Sequence, residues 1–165
     1  MVSALAVAET VTDPELPMIT LADLGVLREV SEKDGHVVVS ITPTYTGCPA
    51  MDTMRDDLLH ALSRAGYGDV EVRMVLSPAW STDWITEAGR QKLSDAGIAP
   101  PGAAPPGAAP RGPVRLTLTP PVRQVRCPRC GSADTESLSD FGPTACKALR
   151  RCRACQEPFE HVKEI

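Results

Sequence analysis

Apolar side chains along the first hundred residues follow two rhythms. Residues 25–30 and 36–42 (HVVVSIT) are rich in β-formers and are separated by SEKDG, a charged stretch ending in glycine, which predicts a hairpin. Met51, Met54, Leu58, Leu62 and Ala65 then recur at helical spacing with charges between them, and Gly66 supplies a stop. Residues 69–76 (DVEVRMVL) alternate polar and apolar as far as Met74, the pattern of a half-buried strand. Ser77 and Pro78 are placed to open a further helix, with Trp80, Trp84, Ile85, Ala88 and Leu93 on its apolar side and Gly97 at its end. Upstream, Asp13, Pro14 and Glu15 have the form of a helix start: an N-cap, a proline at the first helical position and an acid near the positive end of the dipole. Pro17 would keep that helix short. The order helix, two strands, helix, strand, helix predicts an α+β fold, a small mixed α/β layer over residues 1–98.

That rhythm stops at residue 99. Residues 99–121 (APPGAAPPGAAPRGPVRLTLTPP) carry eight of the 16 prolines and cannot form a continuous helix, because proline lacks the amide donor and clashes with the preceding turn. They read as an extended, semi-stiff linker, within which residues 114–119 (VRLTLT) alternate as a short strand would. Residues 122–165 form a second module. Charge divides the same way. Residues 1–95 hold 15 acidic against 7 basic side chains, and the remainder 6 against 10.

Only 4% of the 165 residues are aromatic, so a single large aromatic core is not expected and something besides apolar packing should hold part of the chain. No run approaches the roughly 18 apolar residues of a membrane span. The opening MVSALAVAE has no Lys or Arg before its apolar patch and soon meets Glu9, so no secretory signal is expected and the cytoplasm is the expected compartment.

Cys48 is the single cysteine among the first 126 residues and lies between Gly47 and Pro49, just ahead of the helix predicted from Met51. Unpaired amides and the dipole at a helix N-terminus lower a thiol pKa and favour a thiolate able to act as nucleophile or soft metal ligand. Thr42, Thr44 and Thr46 add hydroxyls to the same loop. The same residue type is also often a small buried hydrophobe, and the local pattern leaves both readings open. A Cys/His hydrolase finds no local signature in His36, His60 or His161.

Cys127, Cys130, Cys152 and Cys155 form C-x2-C, 21 intervening residues, then C-x2-C. Two-residue spacing points both thiolates of a knuckle at one tetrahedral metal, and two knuckles close a four-thiolate shell. Some forty residues with few large apolar side chains need that metal to fold, and zinc is the default. Rubredoxin-type iron or an iron–sulphur cluster uses the same ligands. Arg126, Arg129, Arg150, Arg151 and Arg153 crowd the knuckles, where they would offset thiolate charge. A nucleic-acid role is disfavoured by the acidic chain and the absence of aromatics between the arginines, and a disulfide framework by the paired spacing. Cys146 is a fifth thiol of the module: a spare buried thiol, a substitute ligand or a transient cluster ligand, with no structural-metal role expected.

Taken together, VTDPELPMITLADLGVLREV, ITPTYTGCPAM, VLSPAWSTDWITEAGRQKL, CPRCGS and FGPTACKALRRCRACQEPFEHVKEI closely resemble the PaaD (PaaJ) family, accessory subunits of the phenylacetyl-CoA epoxidase system of aerobic phenylacetate degradation. The first module is similar to the SufT-like iron–sulphur assembly superfamily, and the resemblance implies a characteristic surface at Asp13, Pro14, Glu15, Thr42, Pro43, Cys48 and Pro49. It implies a zinc ribbon after the linker, a transient iron or iron–sulphur cargo, and as partners the epoxidase subunits, above all the iron–sulphur flavin reductase, with the cluster-assembly machinery. Several members of that family end near a cysteine, whereas this sequence reads His161 to Ile165 there. The expected function is maturation of the epoxidase; a docking adaptor is the alternative. Turnover by the chain itself ranks third, since it lacks both the paired carboxylate and histidine helices of a di-iron site and a glycine-rich cofactor fingerprint.

Overall fold

The computed structural model describes residues 2–45, 47–103 and 124–164. A five-residue helix, α1 (Ala4–Ala8), capped by the Ser3 hydroxyl, lies in the opening apolar patch and buries Ala4 and Ala8. The hairpin forms as expected, with β1 (Leu27–Lys33) antiparallel to β2 (His36–Ile41). Its turn places Asp34 and Gly35 both at positive φ, the backbone that matches the twist of two-residue hairpins. α2 (Met51–Arg64) crosses over to β3 (Asp69–Met74), which runs parallel to β2. Met51, Met54, Leu58 and Leu62 of α2 share one core with Val37, Val39 and Ile41, the inward positions of β2. Gly66, at φ +99°, ends that helix where the sequence places its stop.

Two expected helices take other forms. Asp13 does cap, with its Oδ1 accepting the N–H groups of Glu15 and Leu16 at 2.7 and 2.8 Å, but no helix follows. The chain instead turns back so that Asp13 N donates to Ile19 O and Leu21 N to Val11 O, a looped bridge that Pro17 favours by denying a helical donor. Beyond Pro78 the single expected helix is a 3-10 turn (Thr82–Trp84) followed by α3 (Glu87–Asp95). Two local caps break it. Ser81 accepts from Asp83 N and Thr86 from Gly89 N, each competing with helix continuation. Asp23 then fastens α3, accepting from Thr86 Oγ1 and pairing with Lys92.

The second sheet has the order β4-β7-β6-β5, from β4 (Ile98–Ala99), β5 (Thr135–Ser139), β6 (Lys147–Cys152) and β7 (Pro158–Val162). Together the two sheets give a mixed α/β fold with a four-cysteine β-ribbon. Ala99, expected to open the linker, is strand: β4 continues directly from α3 and pairs parallel with β7. Because strand side chains alternate, Ile98 enters the large core while Ala99 enters a small second core with Val125, Cys127, Cys152 and Phe159. Val162 of β7 also packs in the large core, so the ribbon is seated on the first module. The strand expected at residues 114–119 lies outside the described residues. Among those described, no helix is long and apolar enough to cross a membrane.

Candidate functional site

Two groups of cysteines are set up by different means. In the ribbon, each knuckle is a tight backbone turn. Cys127 N donates to Ser132 O and Gly131 N to Cys127 O, with Gly131 at φ +73°, while Cys152 N donates to Glu157 O. The four Sγ atoms lie within 4.8 Å of one another, with Cys127–Cys155 at 3.7 Å and Cys130–Cys152 at 3.5 Å. Sulphurs on one tetrahedral zinc, at bond lengths near 2.3 Å, stand about 3.8 Å apart, so the cage fits a metal ion. The Cys155 N–H aimed at Cys152 Sγ holds that thiol down at about 7. Three of the five neighbouring arginines are engaged with carboxylates, Arg151 and Arg153 both gripping Glu136 and Arg129 pairing with Glu157, while Arg126 donates to Gly131 O and Arg150 to Thr135 Oγ1. The five arginines thus stand around the knuckles as the sequence places them, three of them sharing their charge with acidic side chains.

The second group lies at the seam between the modules. Asp13, Glu15, Leu16 and Leu24 of the turned segment, Thr44 and Cys48 of the loop before α2, Met54 and Trp80 line a cavity of ≈ 20 Å³ from one side. Cys146, Val162 and Lys163 of the ribbon module close it from the other. Trp80 is fixed there by donating its indole N–H to Leu24 O at 3.0 Å. Cys146 sits just before β6, its carbonyl held by Lys163 N, with its Sγ 3.1 Å from Thr144 Oγ1 and 3.9 Å from Glu15 Oε2.

Several expected site residues converge here. Asp13, Glu15, Thr44 and Cys48 share the cavity with Cys146, while Thr42 is buried beneath the loop with an unpartnered hydroxyl and Pro49 is exposed, neither of them lining it. Of the two readings the sequence leaves open for Cys48, the electrostatics favour the partly buried, protonated thiol over the thiolate. α2 begins at Met51 with Ala50 as its cap, so Cys48 stands ahead of the fan of helix amides. Burial pushes its thiol up, the Ala50 N–H pulls it back only in part, and the nearby Glu15 carboxylate pushes it further up. Burial likewise raises Cys146, against the Thr144 hydroxyl and with Glu15 adding to the rise. Asp13, only 4% exposed, is raised by burial despite its two backbone hydrogen bonds. Both seam thiols are thus held neutral. Lys163 and Trp80 are lining residues that sequence reasoning misses, and Cys146 is one that it leaves without a place; their shared signal is that each falls in one of the family-like segments, not in a spacing motif.

Comparison with known proteins follows the same division. Residues 3–77 match the family described as iron-sulfur cluster assembly protein, and residues 111–163 the PaaD zinc beta ribbon domain. Across 160 residues the chain is 41% identical to an Escherichia coli (strain K12) protein assigned as a 1,2-phenylacetyl-CoA epoxidase subunit, covering 97% of this chain and 90% of the other. The chain belongs to the PaaD family. The PaaD-family chain is also 34% identical over 86 residues to an Fe-S protein maturation auxiliary factor of Porphyromonas gingivalis (strain ATCC BAA-308 / W83), covering 51% of this chain and 81% of that one. Among solved structures, a DUF59 domain from Bacillus anthracis superposes with a TM-score of 0.51 at 28% identity, over 55% of this chain and 87% of its own. These relatives of the first module support its fold, and the four-cysteine cage with its matched ribbon domain supports metal binding by the second.

Proposed function

We propose that this PaaD-family chain is an accessory maturation factor of a multicomponent phenylacetyl-CoA epoxidase, acting in the cytoplasm to assemble or transfer iron or an iron–sulphur cluster to that complex, chiefly to its iron–sulphur flavin reductase. The reading draws on the identities of its relatives, an epoxidase subunit and iron–sulphur maturation factors. The observation that carries it is the position of Cys48, half-buried on a glycine-flanked loop and lining one cavity with Glu15 of the Asp13 turn. A neutral thiol beside a carboxylate binds iron only by giving up a proton, so its hold is weaker than that of a preformed thiolate. Weak hold suits cargo that must leave. The ribbon cysteines Cys127, Cys130, Cys152 and Cys155 would hold zinc and supply folding free energy to their module.

The test is cluster content of the reductase in cells carrying Cys48→Ala. A loss of iron and acid-labile sulphide from the reductase, with the variant folded and at normal abundance, is expected; an unchanged reductase removes Cys48 from the mechanism. The docking-adaptor reading draws on exposed apolar side chains, Phe141 at 74% and Leu76 at 66%. Stoichiometric copurification with the complex, undiminished by Cys48→Ala, would favour it.

A further inference from the structure

We infer that β3 (Asp69–Met74) is an interface for a second copy of this chain, the two β3 strands pairing antiparallel about a two-fold axis at Val72, so that two three-stranded sheets join into one. Three observations carry it. The first concerns the sheet edges. An edge strand offers unpaired N–H and C=O groups to another strand, and folds blunt that hazard with bulges, shortness or cover. The outer strands are β1 and β3 in the first sheet and β4 and β5 in the second. β1 is bulged between Leu27 and Glu29, and Leu5 of α1 flanks the groove beside its Leu27 and Val30. β5 is bulged between Ser137 and Ser139, and β4 is two residues long. β3 has none of these devices: it runs in unbroken register with β2 from Asp69 to Met74, and among the described residues β2 is its one strand partner.

The second observation is the order of charges. Side chains alternate across a strand, so Glu71 and Arg73 share one face of β3 while Val70, Val72 and Met74 share the other, where Val70 and Val72 pack against the large core. Residues opposed in an antiparallel pair lie on the same face, which restricts the possible registers. With Val72 opposite Val72 of the copy, Val70 meets Met74, and Glu71 meets Arg73 at two symmetric places. Moving the axis to residue 71 would set the two Glu71 carboxylates against each other, and moving it to residue 73 the two guanidiniums. Opposite charges directly across a strand pair are favourable and like charges unfavourable, so the register centred on Val72 is selected. Glu71 and Arg73 already pair within each chain at 2.8 Å, both exposed, and the copy would extend these pairs into four alternating charges. The third observation is apolar surface at the strand's end. Met74 is 55% exposed, and Leu76 beyond it is exposed as well. In the register selected by charge, Val70 of the copy covers Met74, and Leu76 falls against Gly68 of the copy, where no side chain obstructs it. A self-complementary contact of this kind closes as a dimer.

The test measures mass by sedimentation equilibrium on the full-length, zinc-loaded chain over a range of concentrations. A concentration-dependent dimer is expected for the wild type. Arg73→Glu leaves two acidic side chains on the outward face of β3 and Glu71→Arg leaves two basic ones, so each variant should self-associate at least about tenfold more weakly. Mixed in equal amounts, the two variants should dimerise with each other at least as tightly as wild type, because every facing pair is then of opposite sign. Restoration by mixing also shows that neither variant lost its partner by misfolding. A wild type that stays monomeric at every concentration, a dimer undiminished in both single variants, or two variants that remain monomeric when mixed overturns the interface. Cys48→Ala should leave the dimer intact, so this outcome stands apart from that of the maturation role.

Discussion

The chain carries two thiol sets that differ in almost every physical respect. The ribbon set is built from four cysteines on two backbone turns, with its sulphurs at metal-ligand separations and its titration divided, Cys152 drawn down to about 7 by a peptide N–H while Cys155 is pushed up to about 12. The seam set has two cysteines far apart in sequence, a carboxylate lining the same cavity, and both thiols pushed up by burial. Closed, preformed shells suit structural metals, which contribute folding free energy; open sets whose ligands must first lose protons suit ions that come and go. On the proposed function, one polypeptide would separate retention from exchange by placing them at opposite ends of the ribbon.

The largest break in that contrast should come from the ribbon. Cys127→Ser or Cys155→Ser is expected to abolish metal retention and unfold residues 124–164, because structural zinc contributes on the order of 10 kcal/mol to folding such modules. Metal stoichiometry with limited proteolysis reads this, and full retention in both variants would mean that other ligands hold the ion. Next, Trp80→Ala removes one wall of the seam cavity and should cost about 3–5 kcal/mol in a denaturant midpoint while leaving the ribbon metal at one per chain. Loss of ribbon metal in that variant would show the two sets to be energetically inseparable.

Smaller effects sharpen the electrostatic half of the comparison. Since burial raises Asp13, its folded-state pKa exceeds the unfolded one, and ionisation disfavours folding above the folded pKa while the penalty vanishes below the unfolded one. Asp13→Asn keeps an acceptor oxygen for Glu15 N and Leu16 N without that penalty. Its stability should match or exceed wild type at pH 7, and the difference should fade as pH drops below the ordinary aspartate range. A large loss at pH 7 would show that the carboxylate charge itself is required. The smallest change is kinetic: in zinc-loaded protein, iodoacetamide should label Cys48 and Cys146 more slowly at pH 7 than a free cysteine, and faster as pH rises past the usual thiol range. Rapid labelling of Cys48 at pH 7 would restore the thiolate expected at a helix start.

What the sequence discloses is whatever is encoded over short distances. Alternation in residues 36–42, the recurrence of Met51, Met54, Leu58 and Leu62, and the paired C-x2-C spacing each specify a local periodicity or ligand geometry, and each forms. The misreadings come where two local signals compete. Asp13 caps a turn as readily as a helix, and Ser81 and Thr86 cap two short elements where apolar spacing fits one. The pairing of β4 with β7 and the meeting of Cys146 with Glu15, 131 residues apart, rest on tertiary packing that no spacing rule records. Cys48 is legible as a residue but not in its protonation, since its position ahead of the Ala50 cap is a matter of two residues at a helix boundary.

β6 joins the two thiol sets. It begins one residue after Cys146 and ends on Cys152, a run of six residues or about 20 Å of hydrogen-bonded strand clamped between β5 and β7. Such a strand behaves as a strut: anchor one end and the other keeps its aim. A metal in the ribbon would then do more than fold its own module, because by pinning Cys152 it would fix where Cys146 points and so hold the wall that the ribbon lends to the seam cavity.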